Sequence, residues 1–212
     1  MRNTTAVPAT MPPALPPAQT PAPAEQFAAS SAQRNPGLIG VIFFIVAESV
    51  FFIGLFLAYF YMRALADVWP PFRVDPPSFT LAIVNTVISL VSAGLMGVAV
   101  RAVKRDDRRG LLTGIIGASV LGTLFMAIQS VEFAKLGSNA QTSAYGSMFV
   151  GLLVLHVARV FAGVALILIV LVRTLLGQFS SRQHLLVQAA AMYWYFIVGV
   201  WLLVFYVLYI MV

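Results

Sequence analysis

Five apolar runs, at about residues 38–63, 78–101, 110–135, 143–173 and 186–212, constrain this chain more than any other feature. Each holds 20 or more residues. A helix rises about 1.5 Å per residue, so each run is long enough to cross about 30 Å of hydrocarbon. No water reaches the backbone there, so every N–H and C=O must pair within the protein. Helices meet that demand alone. The strands of a membrane barrel would be shorter and would alternate in polarity. Breaks fall between the runs: "WPPFRVDPP", "RAVKRDDRRG", "LGSNAQTS" and "RTLLGQFSSRQH". The expected fold is an all-α integral membrane protein, a bundle of five transmembrane helices.

Composition agrees: 60% of the 212 residues are hydrophobic and 9% are charged, where a soluble domain carries about 25% charged residues. There is no cysteine, which excludes disulfides, thiolate metal sites, cysteine-bound haem and a cysteine nucleophile. The two histidines are too few for a multi-histidine metal centre. No catalytic residue, metal or cofactor is expected on this chain. The net charge of +6 does not point to nucleic acid, because most basic residues stand at span ends, where lipid headgroups lie.

Residues 1–37 hold eight of the twelve prolines among alanines and small polar residues. Such a segment cannot bury a core and is expected to be a disordered tail ahead of a transmembrane domain at 38–212. It lacks the apolar run of a signal peptide. The tail and the loops at 101–109 and 173–185 carry nine Lys and Arg, against three on the opposite side (Arg63, Arg73 and Lys135). This bias predicts a cytoplasmic N-terminus and an external C-terminus.

Polar residues inside the spans are costly and must face a partner, a cavity or water. They are Glu48, Asn85, Gln129, Glu132, His156, Arg159 and Tyr195. Counting along each helix puts Glu48 about 15 Å, Tyr195 about 14 Å and Arg159 about 21 Å from the cytoplasmic end. His156 and Asn85 fall near about 25 Å, and Glu132 near about 33 Å. The expectation is an intramembrane polar network of Glu48, Arg159, Tyr195, His156 and Asn85, with an outer polar pair, Gln129 and Glu132, three residues apart on one face. Glu48 and Arg159 are read as a buried pair holding helices together, with a proton-carrying role for Glu48, or contact with lipid or water, as the alternatives. His156 is read as a hydrogen-bonded interior residue and Asn85 as a helix–helix hydrogen bond. Glu132 is read as an outer-surface residue or a partner of Lys135. "YW" in "MYWYF" lies too deep for an interfacial aromatic belt, so packing is its expected role.

Five segments in order resemble subunit III of the haem–copper oxidases, the cytochrome c and quinol oxidases. They are "ESVFFIGLFLAYFYMR", "NTVISLVSAGLM", "LFMAIQSVEF", "GSMFVGLLVLHVARVFAG" and "MYWYFIVGVWLLVFYVLYIM". The resemblance covers about residues 38–212 and looks like the family's short five-helix bacterial form. Two positions depart from it. The family's fourth helix usually carries His-x-x-His, and here Arg159 takes the second place. Its closing helix usually reads Tyr-Trp-His-Phe-x-Asp, and here Tyr195 and Val198 replace the His and the Asp.

The resemblance implies a non-redox accessory subunit of a terminal oxidase that reduces O2 to water. It implies partners in catalytic subunit I and subunit II, with haem and copper on those partners. Bound phospholipids, a lipid-headgroup contact at Arg173, support of proton uptake and a bacterial plasma membrane also follow from it. Glu48 matches the family's intramembrane carboxylate. A subunit-III-like protein that accompanies nitric oxide reductases stays open, as does an independent proton-coupled carrier using Glu48 and Arg159.

Overall fold

The computed structural model describes residues 36–67, 78–136, 144–177, 179 and 184–211. The tail expected at 1–37 lies almost wholly outside the described residues. Five helices follow one another: α1 Pro36–Leu65, α2 Phe79–Lys104, α3 Arg108–Leu136, α4 Ala144–Leu175 and α5 Leu185–Phe205. A π-helical turn, Tyr206–Ile210, prolongs α5. All five are long and apolar enough to cross a membrane. They run up and down, so the starts of α1, α3 and α5 share one end, here the proximal end. Most helix ends lie within three residues of the apolar limits, because caps carry the hydrogen-bond ladder slightly beyond the greasy run.

The caps are legible in residue chemistry. Ser78 Oγ accepts from Leu81 N–H at 3.4 Å at the start of α2. Between α2 and α3 the chain turns through Asp106, at φ 53°, a conformation that Asp tolerates better than most residues. The Asp107 carboxylate then accepts from the N–H groups of Arg109 and Gly110, both at 3.1 Å. Two otherwise unpaired donors of α3 are thereby satisfied. Arg108 Nη2 donates to Leu175 O at 2.9 Å, tying the start of α3 to the end of α4. Gly177, at φ 71°, closes α4 with the left-handed turn that glycine makes without strain.

Hydroxyls along the spans are satisfied locally. Ser49 donates to Ile45 O, Thr86 to Ala82 O, Thr123 to Ser119 O and Thr174 to Val170 O, all at 2.7 to 2.9 Å. This back-bonding lets a membrane helix carry Ser and Thr cheaply.

Helices α2, α3, α4 and α5 form a ring, with α2 against α3 and α5, and α4 against α3 and α5. Lipid is as apolar as leucine, so burying greasy side chains does little to drive this association. Close packing does. The tightest approach is α2 on α3, through the glycines of "GLLTGIIGASVLG". A Cβ on Gly114 would stand 2.6 Å from Leu95 O and 2.7 Å from Ala99 N, both backbone atoms of α2. Helix α5 is the most enclosed: 56% of its most apolar stretch is buried, against 6% for α1. Helix α1 lies outside the ring, against α4 and α5.

This geometry sets an expected outcome. Gly114→Ala must push α2 and α3 apart, and overpacking of this kind costs about 1–3 kcal/mol. Gly151→Ala and Gly199→Ala meet nothing within 4 Å and should be close to neutral. Thermal unfolding of the purified membrane protein checks this, and equal melting temperatures for all three variants would refute it.

Candidate functional site

The site lies midway along the helices and starts on α1. Glu48, Phe51 and Phe52 stand at i, i+3 and i+4, so they share one helix face. That face meets Arg159 of α4. Arg159 Nε donates to Glu48 Oε2, and Arg159 Nη1 donates to Leu155 O of its own helix at 3.1 Å. The guanidinium carbon lies 4.4 Å from the Phe52 ring centre and 5.0 Å from that of Phe51. The carboxylate therefore neutralises the charge while the two rings cover it. The pair is not sealed: the side chains are 13% exposed for Arg159 and 22% for Glu48.

Tyr195 does not join this pair. It is 43% exposed, and its hydroxyl lies 3.0 Å from where a Cβ on Gly97 of α2 would stand. Tyr193 takes the place beside α1 instead, its ring 5.5 Å from that of Phe44, one turn before Glu48. The reason is rotational: residues two apart on a helix point about 200° apart. Counting residues along a helix does not choose a face.

His156 shares the α4 face with Arg159 yet turns into the ring of helices. It is 1% exposed and packs 5.4 Å from Trp201 and 5.9 Å from Phe125. Asn85 Nδ2 donates to Gln129 Oε1 at 3.0 Å, a buried link between α2 and α3. Glu132 differs from the sequence expectation of a surface residue. It is 2% exposed, with Tyr209 Oη 3.5 Å from its Oε2. Its position three after Gln129 turns it inward with that residue. The side chain of Lys135 lies outside the described residues. Arg173 is exposed near the proximal end of α4.

The tryptophans do more than pack. Trp194 Nε1 donates to Ser92 Oγ at 3.0 Å, and Ser92 Oγ donates on to Ala118 O at 3.3 Å. Trp201 Nε1 donates to Thr86 Oγ1 at 3.1 Å. The seven-residue spacing of Trp194 and Trp201, with Thr86 and Ser92 six apart on α2, was the available signal. Trp194 also fills a slot between Gly122 and Gly163, where a Cβ would come within 3.0 Å of its ring. Among the described residues no cluster of three or more His, Cys, Asp or Glu is placed to hold a metal ion.

The ion pair yields a testable outcome. Removing one partner strands a charge in a largely apolar setting, so Glu48→Gln or Arg159→Gln should each destabilise more than the double variant. Coupled neighbours of this kind show interaction energies of about 0.5–3 kcal/mol. A double-mutant cycle scored by thermal stability measures the coupling; purely additive losses would refute it.

The family model for cytochrome c oxidase subunit III matches residues 29–212. The chain is 31% identical to cytochrome c oxidase subunit 3 of Thermostichus vulcanus over 87% of this chain and 92% of that protein. It is 34% identical to cytochrome c oxidase subunit 3 of Synechocystis sp., over 82% of this chain and 75% of that protein. It is 31% identical to cytochrome c oxidase subunit 3 of Aedes aegypti, over 80% of this chain and 67% of that longer protein. With five membrane-crossing helices and a match across most of its length, the chain belongs to the cytochrome c oxidase subunit III family.

Proposed function

We propose that this chain is the non-redox subunit III of a bacterial haem–copper terminal oxidase in the respiratory chain. It packs against catalytic subunit I in a complex with subunit II, and the haem and copper sit on those partners. In this reading it lies in the plasma membrane with its N-terminus in the cytoplasm and its C-terminus outside. Its work is to stabilise the catalytic subunit, hold phospholipids and support proton uptake while O2 is reduced to water.

The observation that supports this best is the Glu48–Arg159 pair. A carboxylate engaged by a guanidinium, itself covered by Phe51 and Phe52, ties α1 to α4. An arginine is always charged, so the pair suits a strut better than a carrier that must release its ion at each cycle. The absence of cysteine agrees with a chain that leaves electron transfer to its neighbours.

Affinity purification of the tagged chain from its native membranes tests the assignment. Haem-bearing subunits that reduce O2 should arrive with it. Arrival as a lone chain would favour the carrier and overturn the assignment. A complex prepared without the chain should start at a similar O2-reduction rate but lose activity sooner during turnover; unchanged endurance would count against a role in proton uptake.

Lipid contact is tested separately at Arg173, which matches the family's basic residue at headgroup level. A guanidinium suits two-pronged binding of a phosphate. Arg173→Leu should lower the anionic phospholipid that co-purifies with the complex, measured by lipid mass spectrometry. Unchanged lipid content would remove Arg173 from that role.

A further inference from the structure

A small cavity lies inside the ring, where α2, α3, α4 and α5 meet. Ser89 and Ser92 line it from α2, Phe125 from α3, His156 from α4, and Trp194 and Trp201 from α5. The space open to a water-sized sphere is about 10 Å³, close to what one water molecule needs.

His156 is the group with unmet demand. Its side chain is 1% exposed, and among the described residues neither ring nitrogen has a hydrogen-bond partner. A neutral imidazole has one nitrogen that donates and one that accepts. Leaving both unpaired in an interior without water is costly. Phe125 and Trp201 pack on the ring without accepting or donating through their own polar atoms: Phe125 has none, and Trp201 Nε1 is already committed to Thr86.

The serines on the cavity wall have capacity to spare. Ser89 Oγ donates to Thr86 O at 2.8 Å and keeps both acceptor lone pairs. Ser92 Oγ donates to Ala118 O and accepts from Trp194 Nε1, which leaves one lone pair. Two acceptors and an unpaired imidazole around a water-sized space call for a small molecule that both donates and accepts.

We propose that this cavity is a binding site for one structural water, held by the His156 imidazole and the hydroxyls of Ser89 and Ser92. The water accepts from the ring N–H or donates to the bare ring nitrogen. Its remaining hydrogens go to the serine oxygens. It serves one of the two ring nitrogens and links α4 to α2, which are not neighbours in the ring. His156 is thereby a positioning residue for the bundle.

High-resolution electron cryomicroscopy of the intact complex, at a resolution where buried waters appear, tests this. One density peak is expected in the cavity, about 2.6–3.2 Å from a His156 ring nitrogen and from a serine hydroxyl. The peak should vanish in His156→Phe. An empty cavity in a map that shows other buried waters would overturn the proposal. So would a ring turned to bond a serine directly, or a peak that persists unchanged in His156→Phe. If that variant fails to assemble, the wild-type map alone decides.

Discussion

Hydrocarbon is a solvent that rewards backbone pairing and is indifferent to greasy contact, and the whole arrangement follows from that. Each span must be a helix, yet nothing apolar on its surface tells it where to pack. Specific packing has to come from backbone approach and from the few polar groups. Gly114 lets α3 settle on the backbone of α2 at Leu95 and Ala99. With that pair fixed, Gly122 and Gly163 form the slot that Trp194 fills. The indole then reaches Ser92, which reaches Ala118, so three helices share one chain of hydrogen bonds. The Asn85–Gln129 and Trp201–Thr86 links add further rungs. Each rung is worth only about 0.6 kcal/mol, but each also fixes rotation, because a polar group turned toward lipid loses its partner.

Helix α1 shows what happens with little glycine packing: of its glycines Gly37 alone has close neighbours, in the side chain of Leu185. Gly40 and Gly54 face open space, and most of the helix is bare. Its register is set by a short series of side-chain contacts: Phe44 on Tyr193, Glu48 on Arg159, Phe52 in the core, and Tyr59 donating to Val207 O at 3.5 Å. Among these the ion pair is the most selective. A one-residue slip of α1 would carry Glu48 away from its cation and leave both charges in an apolar setting.

The number, type and limits of the helices were legible from length and polarity, because a membrane span leaves few alternatives. Rise per residue is fixed, so counting along the helices also carries information on which polar residues can meet. That is why Glu48 and Arg159 could be matched by counting. Rotation was not legible. Tyr195 and Tyr193 stand two residues apart on α5 but on opposite faces, and Glu132, near the end of α3, faces inward to Tyr209. Hydropathy cannot separate a lipid-facing side from a protein-facing side when both are apolar. The glycines of α3 carried that information, but a glycine reads as packing only once its neighbour is known.

The acid before two phenylalanines in "ESVFF" now has a physical meaning. Residues at i, i+3 and i+4 form one patch, and here that patch offers a carboxylate and two ring faces to a single flat cation. Guanidinium fits such a patch well: it hydrogen-bonds at its edge and stacks on its face. A histidine at position 159, as the family usually has, is shorter and lacks the fixed charge. The same α1 patch would then have to come closer or accept a bridging group. The exchange to arginine lets α4 reach α1 with a long side chain, anchored at its base by Leu155 O. The departure at Arg159 is thus a change of reach as well as of charge. It leaves the histidine one turn away, His156, free to serve the interior of the ring while Arg159 serves its outer helix.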